Sequence, residues 1–360
     1  CLIVAQKGLL SIGNGTYVGH GTHICSIDQV AIGQNSRREM KTAVVFGGSG
    51  LIGGTIVNFY KQRRPGLVDM LAPSSKKVSL KNCRDIRNYL LAVNYARERI
   101  QGRDIENFAD HGAPSVAIIR HPDVRRMLLG MKAYVEGMRS FVYYVGQCLD
   151  REALAAGEAE KARYKGFGDL LTPLVKAYCA QRGFDVCVTA LQVYGGYGYI
   201  KEYPVEQLVR DCKITSIYEG TDGIQAMDLL GRKLGMAQGQ VFMNFLEEIQ
   251  KTIALARDTN GLEGLSAEFE RAVNRLGEVA LHLGKSALSP KFKVAFAHAF
   301  PFLEVMGDVV LAWMLLWRAA LAKQKIDSGI KKKDVEFYEG QLKSAEFFIH
   351  AILPTTLGKM

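Results

Sequence analysis

His121-Pro-Asp-Val-Arg-Arg-Met-Leu-Leu-Gly-Met-Lys-Ala-Tyr-Val-Glu-Gly-Met-Arg-Ser-Phe-Val142 sets the fold class of this chain. Val124, Leu128, Met131, Val135, Met138 and Val142 follow one another at alternating steps of four and three. That spacing lines one side of an α-helix, and Pro122-Asp123 supplies its start signal. A stripe this long is the seam of a helical bundle, with the methionines as adaptable filler.

Outward from this stripe the chain keeps a helical period. Periodicity starts near residue 86 and predicts further helices at about 168–191, 203–213, 222–235, 239–257, 264–285, 292–325 and 333–352. The segment after Asp150, rich in Ala, Gly, Glu and Lys, is expected to loop between two long antiparallel helices. Asp258-Thr-Asn-Gly-Leu-Glu-Gly264 is the expected boundary between two helical units. The apolar run Val309–Trp317, between Asp308 and Arg318, is too short to span a bilayer, which takes about 20 residues.

The first ninety residues follow other rules. Leu10-Ser-Ile-Gly13, Tyr17-Val-Gly19 and Ala31-Ile-Gly33 place an apolar residue before glycine at an imperfect six-residue period. The stretch 9–33 resembles the hexapeptide repeat of β-helix acyltransferases, but so few rungs cannot bury a core. His20 and His23 therefore read as structural or exposed. From residue 40 a strand pattern, Lys41-Thr-Ala-Val-Val-Phe46, runs into Gly47-Gly-Ser-Gly50-Leu-Ile-Gly53 and an apolar-periodic segment through Ile56, Val57 and Phe59. Gly47, Gly50 and Gly53 resemble the opening of short-chain dehydrogenases and sugar epimerases, with Asp69 where a ribose acid would sit. The strand–helix alternation stops near residue 90. The Tyr-x-x-x-Lys pair of that family is met only as Tyr197…Lys201, in a glycine-rich turn.

Composition excludes several classes. The net charge is +10 over 360 residues, but most of the excess lies in residues 1–93. Lys61-Gln-Arg-Arg64 and Lys76-Lys77 are not interleaved with aromatic residues, so nucleic acid is not the expected partner. The seven cysteines form no Cys-x-x-Cys pair and no Cys/His cluster at zinc spacing, so no metal site is expected. Buried free thiols in a reducing compartment account for them. No basic, apolar leader opens the sequence, and a cytoplasmic protein is the expectation.

Three segments carry chemistry. The first is Asn94-Tyr-Ala-Arg-Glu-Arg99-Ile-Gln-Gly-Arg103. The second is Ala190-Leu-Gln192-Val-Tyr-Gly195-Gly196-Tyr-Gly-Tyr199 followed by Glu202-Tyr-Pro204, a helix end and a glycine turn open to a ligand's phosphates or ring. The third runs from Arg210-Asp-Cys-Lys-Ile214 to Ile217-Tyr-Glu219-Gly220-Thr221-Asp222. There Thr221 or Asp222 can cap the helix that follows, and Glu219 sits just before its N-terminus. From pattern alone the plainer account of Glu219 is an exposed acid that favours the helix dipole. Arg99 likewise reads either as a bidentate pyrophosphate ligand or as a helix C-terminal cation.

Together these segments resemble the C-terminal helical domain of the acyl-CoA dehydrogenases. The likeness covers roughly residues 92–235, and the helices beyond are similar to the C-terminal extension of longer, bacterial-type members, one branch of which acts on methylmercaptopropionyl-CoA. The resemblance implies FAD as cofactor and acyl-CoA as substrate, desaturated between its α and β carbons. It implies Glu219 as the base that removes the α-proton. Gln192, Gly195, Gly196 and Thr221 match contacts to FAD. Arg99 matches an arginine that reaches the pyrophosphate of a neighbouring subunit's FAD, which implies a homo-dimer or homo-tetramer; an electron-transfer flavoprotein is the implied acceptor. In that mechanism the backbone N–H of the glutamate supports the thioester carbonyl as enolate-like charge develops.

The expected architecture is therefore mainly α: an up-and-down bundle with a second helical extension, preceded by a short β/α segment. Its expected divisions are a β-helix-like fragment (1–39), a partial Rossmann-like segment (40–91), the dehydrogenase helical domain (92–237) and the extension (238–360). The family's N-terminal helical and middle β-domains find no counterpart in residues 1–91, and Met40-Lys41 reads like the start of a separate chain, so a composite or incomplete chain is expected. Two other functions fit part of the sequence. Gly47–Gly53 alone would suit an NAD(P)-binding oxidoreductase or epimerase, and the apolar helix faces alone would suit a non-catalytic oligomerising bundle.

Overall fold

The computed structural model describes residues 2–5, 8–11, 43–44, 57–58, 84–107 and 109–360. Ahead of residue 84, β1 (Leu2–Ala5) pairs antiparallel with β2 (Gly8–Ser11), and β3 (Ala43–Val44) with β4 (Val57–Asn58). Val57 thus lies in a strand where the sequence reading places a helical segment; a β-branched residue suits that choice. Gly13 to Gly33, His20, His23, Gly47, Gly50, Gly53 and Asp69 lie outside the described residues.

From residue 84 the chain is a helical bundle. α1 (Arg84–Glu98) leads into a short antiparallel hairpin of β5 (Ile100–Arg103) and β6 (Ser115–Ala117). Then comes α2 (Pro122–Leu154), whose first turn holds Pro122 as the sequence predicts. α3 (Glu158–Pro173) passes through a wide π-helical turn, Leu174–Tyr178, into α4 (Cys179–Tyr194). Pro173 has no N–H to bond back into the helix, and the helix widens directly after it. Gly195, at φ 61°, ends α4.

α5 (Val205–Lys213) and α6 (Asp222–Asp228) complete this part, α6 continuing through a second π turn, Leu229–Lys233. The extension holds α7 (Gln240–Arg257), α8 (Glu263–Ala287), α9 (Phe292–Ala297), α10 (Ala299–Asp327) and α11 (Val335–Phe347). A third π turn, Phe348–Ile352, joins α11 to α12 (Leu353–Lys359).

The α2 stripe faces two cores. Leu128, Met131 and Val135 pack with Ala92 and Ala96 of α1 and Val186, Ala190 and Val193 of α4. Met138 and Val142 join the larger core, which is built around α10 and reaches Leu353. Asp85, Cys179, Cys187 and Cys212 are also buried; the four described cysteines, Cys148 among them, are free and buried as expected.

Three further expectations are corrected. The Ala/Gly/Glu/Lys segment after Asp150 is not a long loop: α2 runs to Leu154 and α3 starts at Glu158, because Ala, Glu and Lys are good helix formers. Asp258–Gly264 is a tight turn inside one core, not a boundary; Leu262 is buried there and the Ser266 hydroxyl donates to the Ile253 carbonyl at 3.0 Å. The apolar run of the C-terminal part is longer than Val309–Trp317: α10 is long and apolar enough to cross a membrane, with a window of mean hydropathy 1.7. Yet 83% of that window is buried inside the protein.

Candidate active site

Two groups of the expected residues form, and they sit at opposite ends of α4. At its C-terminal end, Tyr194 stacks on Tyr95 of α1 with ring centroids 4.0 Å apart. Tyr203 meets Tyr95, Tyr194 and Tyr197 edge-on. The Tyr194 hydroxyl donates to the Leu91 carbonyl at 3.2 Å. This aromatic cluster fastens the first segment to the second. It also seats Arg99, whose guanidinium lies over the Tyr197 ring, 5.1 Å from its centroid.

The glycine turn presents an open surface. Gly195 and Gly196 are exposed, and a Cβ built on either would meet nothing within 4 Å. Gly198 is different: a Cβ there would lie 2.6 Å from the Leu191 carbonyl oxygen, so this glycine serves packing. Gln192 is exposed one turn before the glycines. Arg99 keeps a buried Nε with no hydrogen-bond partner. An open backbone, an amide and a cation with donors to spare make a surface that suits a phosphate-bearing ligand with a flat ring.

At the other end of α4 stands the Glu219 loop. Ile214–Ser216 makes one 3-10 turn, and the amides of Ile217 and Tyr218 both donate to the Ile214 carbonyl. Glu219 then takes φ 52° and Gly220 φ 90°. A left-handed glutamate is uncommon and costs roughly 1–2 kcal/mol. Of the two caps the sequence allows, Thr221 takes the place before α6, its Oγ1 accepting from the Ile224 amide at 3.4 Å. Glu219 is exposed, and so are Ile214 and Ile217 before it in the chain and Ile224 and Met227 after it.

Beneath this loop the helix supplies two polar groups that sequence reasoning passed over. The Lys176 ammonium donates to the Thr215 carbonyl at 2.5 Å and lies 5.4 Å from the centroid of the Tyr218 ring. The Gln181 amide donates to Asp222 Oδ2 at 2.5 Å. Burial pushes the Asp222 carboxyl up, against the Gln181 bond and the charges of Lys176 and Lys213. Burial holds Lys176 down, against the charges of Asp222 and Glu219. The available signal was a lysine set in an otherwise apolar helical run, Leu174-Val-Lys-Ala-Tyr178.

Gln181 and Gln192 mark the two groups, and they lie eleven positions apart on one helix, roughly 16 Å along the axis. The structure therefore joins Arg99, Gln192, Gly195 and Gly196 in one place and Glu219 with Thr221 in another.

Comparison with known proteins bears on the same segments. Residues 89–234 match the family model "Acyl-CoA dehydrogenase, C-terminal domain", and residues 245–360 match "Acetyl-CoA dehydrogenase C-terminal like". A broad-specificity linear acyl-CoA dehydrogenase of Mycobacterium tuberculosis is 33% identical over 274 residues. A 3-methylmercaptopropionyl-CoA dehydrogenase of Ruegeria pomeroyi is 36% identical over 274 residues. Each alignment covers 74% of this chain and 44% of the relative, so the chain spans less than half the length of these curated relatives. The crystal structure of an acyl-CoA dehydrogenase from Bacillus anthracis complexed with FAD shares the fold, with a TM-score of 0.55 at 20% identity over 76% of this chain and 46% of that one. Through its helical region, residues 89–360, this chain belongs to the acyl-CoA dehydrogenase family.

Proposed function

We propose that this chain is the C-terminal part of an FAD-dependent acyl-CoA dehydrogenase and that Glu219 removes the α-proton of an acyl-CoA thioester. The observation that carries this reading is the Glu219 loop: a carboxylate held in left-handed backbone before a capped helix, in a segment whose Ile214, Ile217, Ile224 and Met227 are exposed. The side chains Ile214, Ile217, Ile224 and Met227 offer an acyl chain apolar surface. As substrate covers the loop, water leaves Glu219 and the carboxylate becomes a stronger base. The Glu219 amide supports the thioester carbonyl while charge develops on its oxygen.

The residues at the far end of α4 fit the cofactor. Gly195 and Gly196 leave the space a flavin nucleotide needs, Gln192 offers donor and acceptor, and Arg99 has an unused donor for pyrophosphate. Bound flavin supplies the acceptor for the β-hydride. Because Glu219 and Arg99 sit at opposite ends of one helix, we infer that they serve two different flavins in a homo-oligomer. An electron-transfer flavoprotein as acceptor, a role in fatty-acid metabolism and a cytoplasmic location complete the reading.

Anaerobic titration of the complete, flavin-loaded protein with acyl-CoA tests it. Glu219→Gln should retain flavin and lose reduction by substrate by a factor of about 10³ or more. Arg99→Ala should lose flavin absorbance while Glu219→Gln keeps it. Reduction retained in Glu219→Gln sinks the base assignment, and binding of NAD(P) in place of FAD sinks the cofactor.

A further inference from the structure

The wide turn between α3 and α4 holds the Glu219 loop from below. Lys176 is the only charged residue of that turn, Leu174–Tyr178. Its ammonium meets the loop at Thr215 and at the Tyr218 ring, and its charge faces both Asp222 and Glu219. Five residues on, Gln181 meets the loop at Asp222. One helix thus grips both ends of the segment 215–222, with Glu219 between them.

The geometry needs the wide turn. In a regular α-helix, residues five apart lie roughly 140° around the axis, too far for both to face one loop. A π turn takes up one extra residue and brings the pair toward a common face. Such turns need support from tertiary contacts, as does a glutamate in left-handed backbone. Lys176 bears on both needs: it lies within the wide turn and its ammonium ends on a loop carbonyl.

We propose that Lys176 is a positioning residue for Glu219, anchoring the Thr215 end of the catalytic loop while Gln181 anchors the Asp222 end. The proposal rests on the reading of Glu219 as base. Lys176 acts through the loop, by fixing where the carboxylate stands. A misplacement of about 1 Å costs on the order of a hundredfold in rate.

The test uses the complete, flavin-loaded protein with Lys176→Met, Lys176→Arg, Gln181→Met and Glu219→Gln. In Lys176→Met, amide hydrogen exchange across 216–221 should rise about tenfold. The rate of flavin reduction at saturating acyl-CoA should fall about ten- to a hundredfold, with half-saturation moving less than about twofold. Lys176→Arg keeps a cationic donor and should restore both within about threefold. Unchanged exchange in Lys176→Met, or Arg and Met variants that behave alike, overturns the proposal. Should Lys176→Met not fold, Gln181→Met decides: faster exchange at 220–222 supports the two-ended grip, and none overturns it. Glu219→Gln separates the two ideas. If that variant still reduces flavin, the base reading falls, while exchange in the lysine variants still judges the anchor.

Discussion

Glu219 stands in the least comfortable backbone of the site, at φ 52°, while the adjacent Gly220 takes φ 90° freely. Strain of this kind persists where neighbours over-determine it, and Lys176, Gln181 and the Thr221 cap are those neighbours. A second costly group lies away from the loop. Asp85 in α1 is buried, one of its oxygens has no partner, and loss of water pushes its carboxyl up to about 7 against backbone hydrogen bonds from Ile86 and Asp85. A carboxyl raised in the folded state keeps its proton where the unfolded chain has released it. Stability therefore falls as pH rises from about 4 to about 7 and is level above that. Asp85→Asn should remove the slope: equal to the parent near pH 4, and more stable at pH 8 by on the order of 4 kcal/mol. Urea midpoints across that range check it, and a parallel slope in both proteins would contradict it.

At the level of elements, the helices were legible wherever the period of 3.6 ran unbroken. Met138 and Val142 were assigned to the core by spacing alone and are buried. The cap was legible to within one residue, Thr221 or Asp222, because a short polar side chain before an apolar period has a local meaning. The wide turns were not legible. An extra residue in a helix disturbs the period by one step and draws its support from distant parts of the chain. The Lys176 anchor was hidden for a related reason: its acceptor is a main-chain carbonyl, which every residue possesses. The β5 strand, Ile100-Gln-Gly-Arg103, shows no alternation to announce it.

The wide turn also sets how closely α10 approaches. A Cβ at Gly307 would fall 2.1 Å from Cδ2 of Tyr178, whose ring is buried and whose hydroxyl donates to Asp308 Oδ1 at 2.5 Å. The ring has nowhere to go. Gly307→Ala should cost about 3 kcal/mol, read as a lower urea midpoint with the slope unchanged.

Across the whole molecule, Asp308 ties the bundle to the extension. Its carboxylate accepts from Tyr178 and, at 2.9 Å, from the Thr356 hydroxyl of α12, and lies 3.7 Å from Arg182 Nε of α4. Arg182 also pairs with Glu304 and lies over the Tyr134 and Tyr178 rings. Removing the carboxylate leaves the buried Tyr178 and Thr356 hydroxyls without their acceptor, while Arg182 keeps Glu304 and Asp185. Asp308→Ala should cost about 3–5 kcal/mol. Both tryptophans report on this junction, since Trp313 and Trp317 stack in α10 and Trp313 donates to Thr252 of α7. Their fluorescence and the far-ultraviolet circular dichroism should fall in one coincident transition that Asp308→Ala shifts as a unit. Separate transitions would show that bundle and extension fold independently.

The apolar α10 has a consequence for how the chain is made. It is finished at Asp327, while α11 and α12, which help cover it, end at Lys359. At 5–20 residues per second, roughly two to six seconds of synthesis separate the helix from its cover. During that interval a nascent segment with the length and composition of a membrane span stands incompletely sheltered. Chaperones and the membrane-insertion machinery would compete for it until α11 and α12 are made and can cover it.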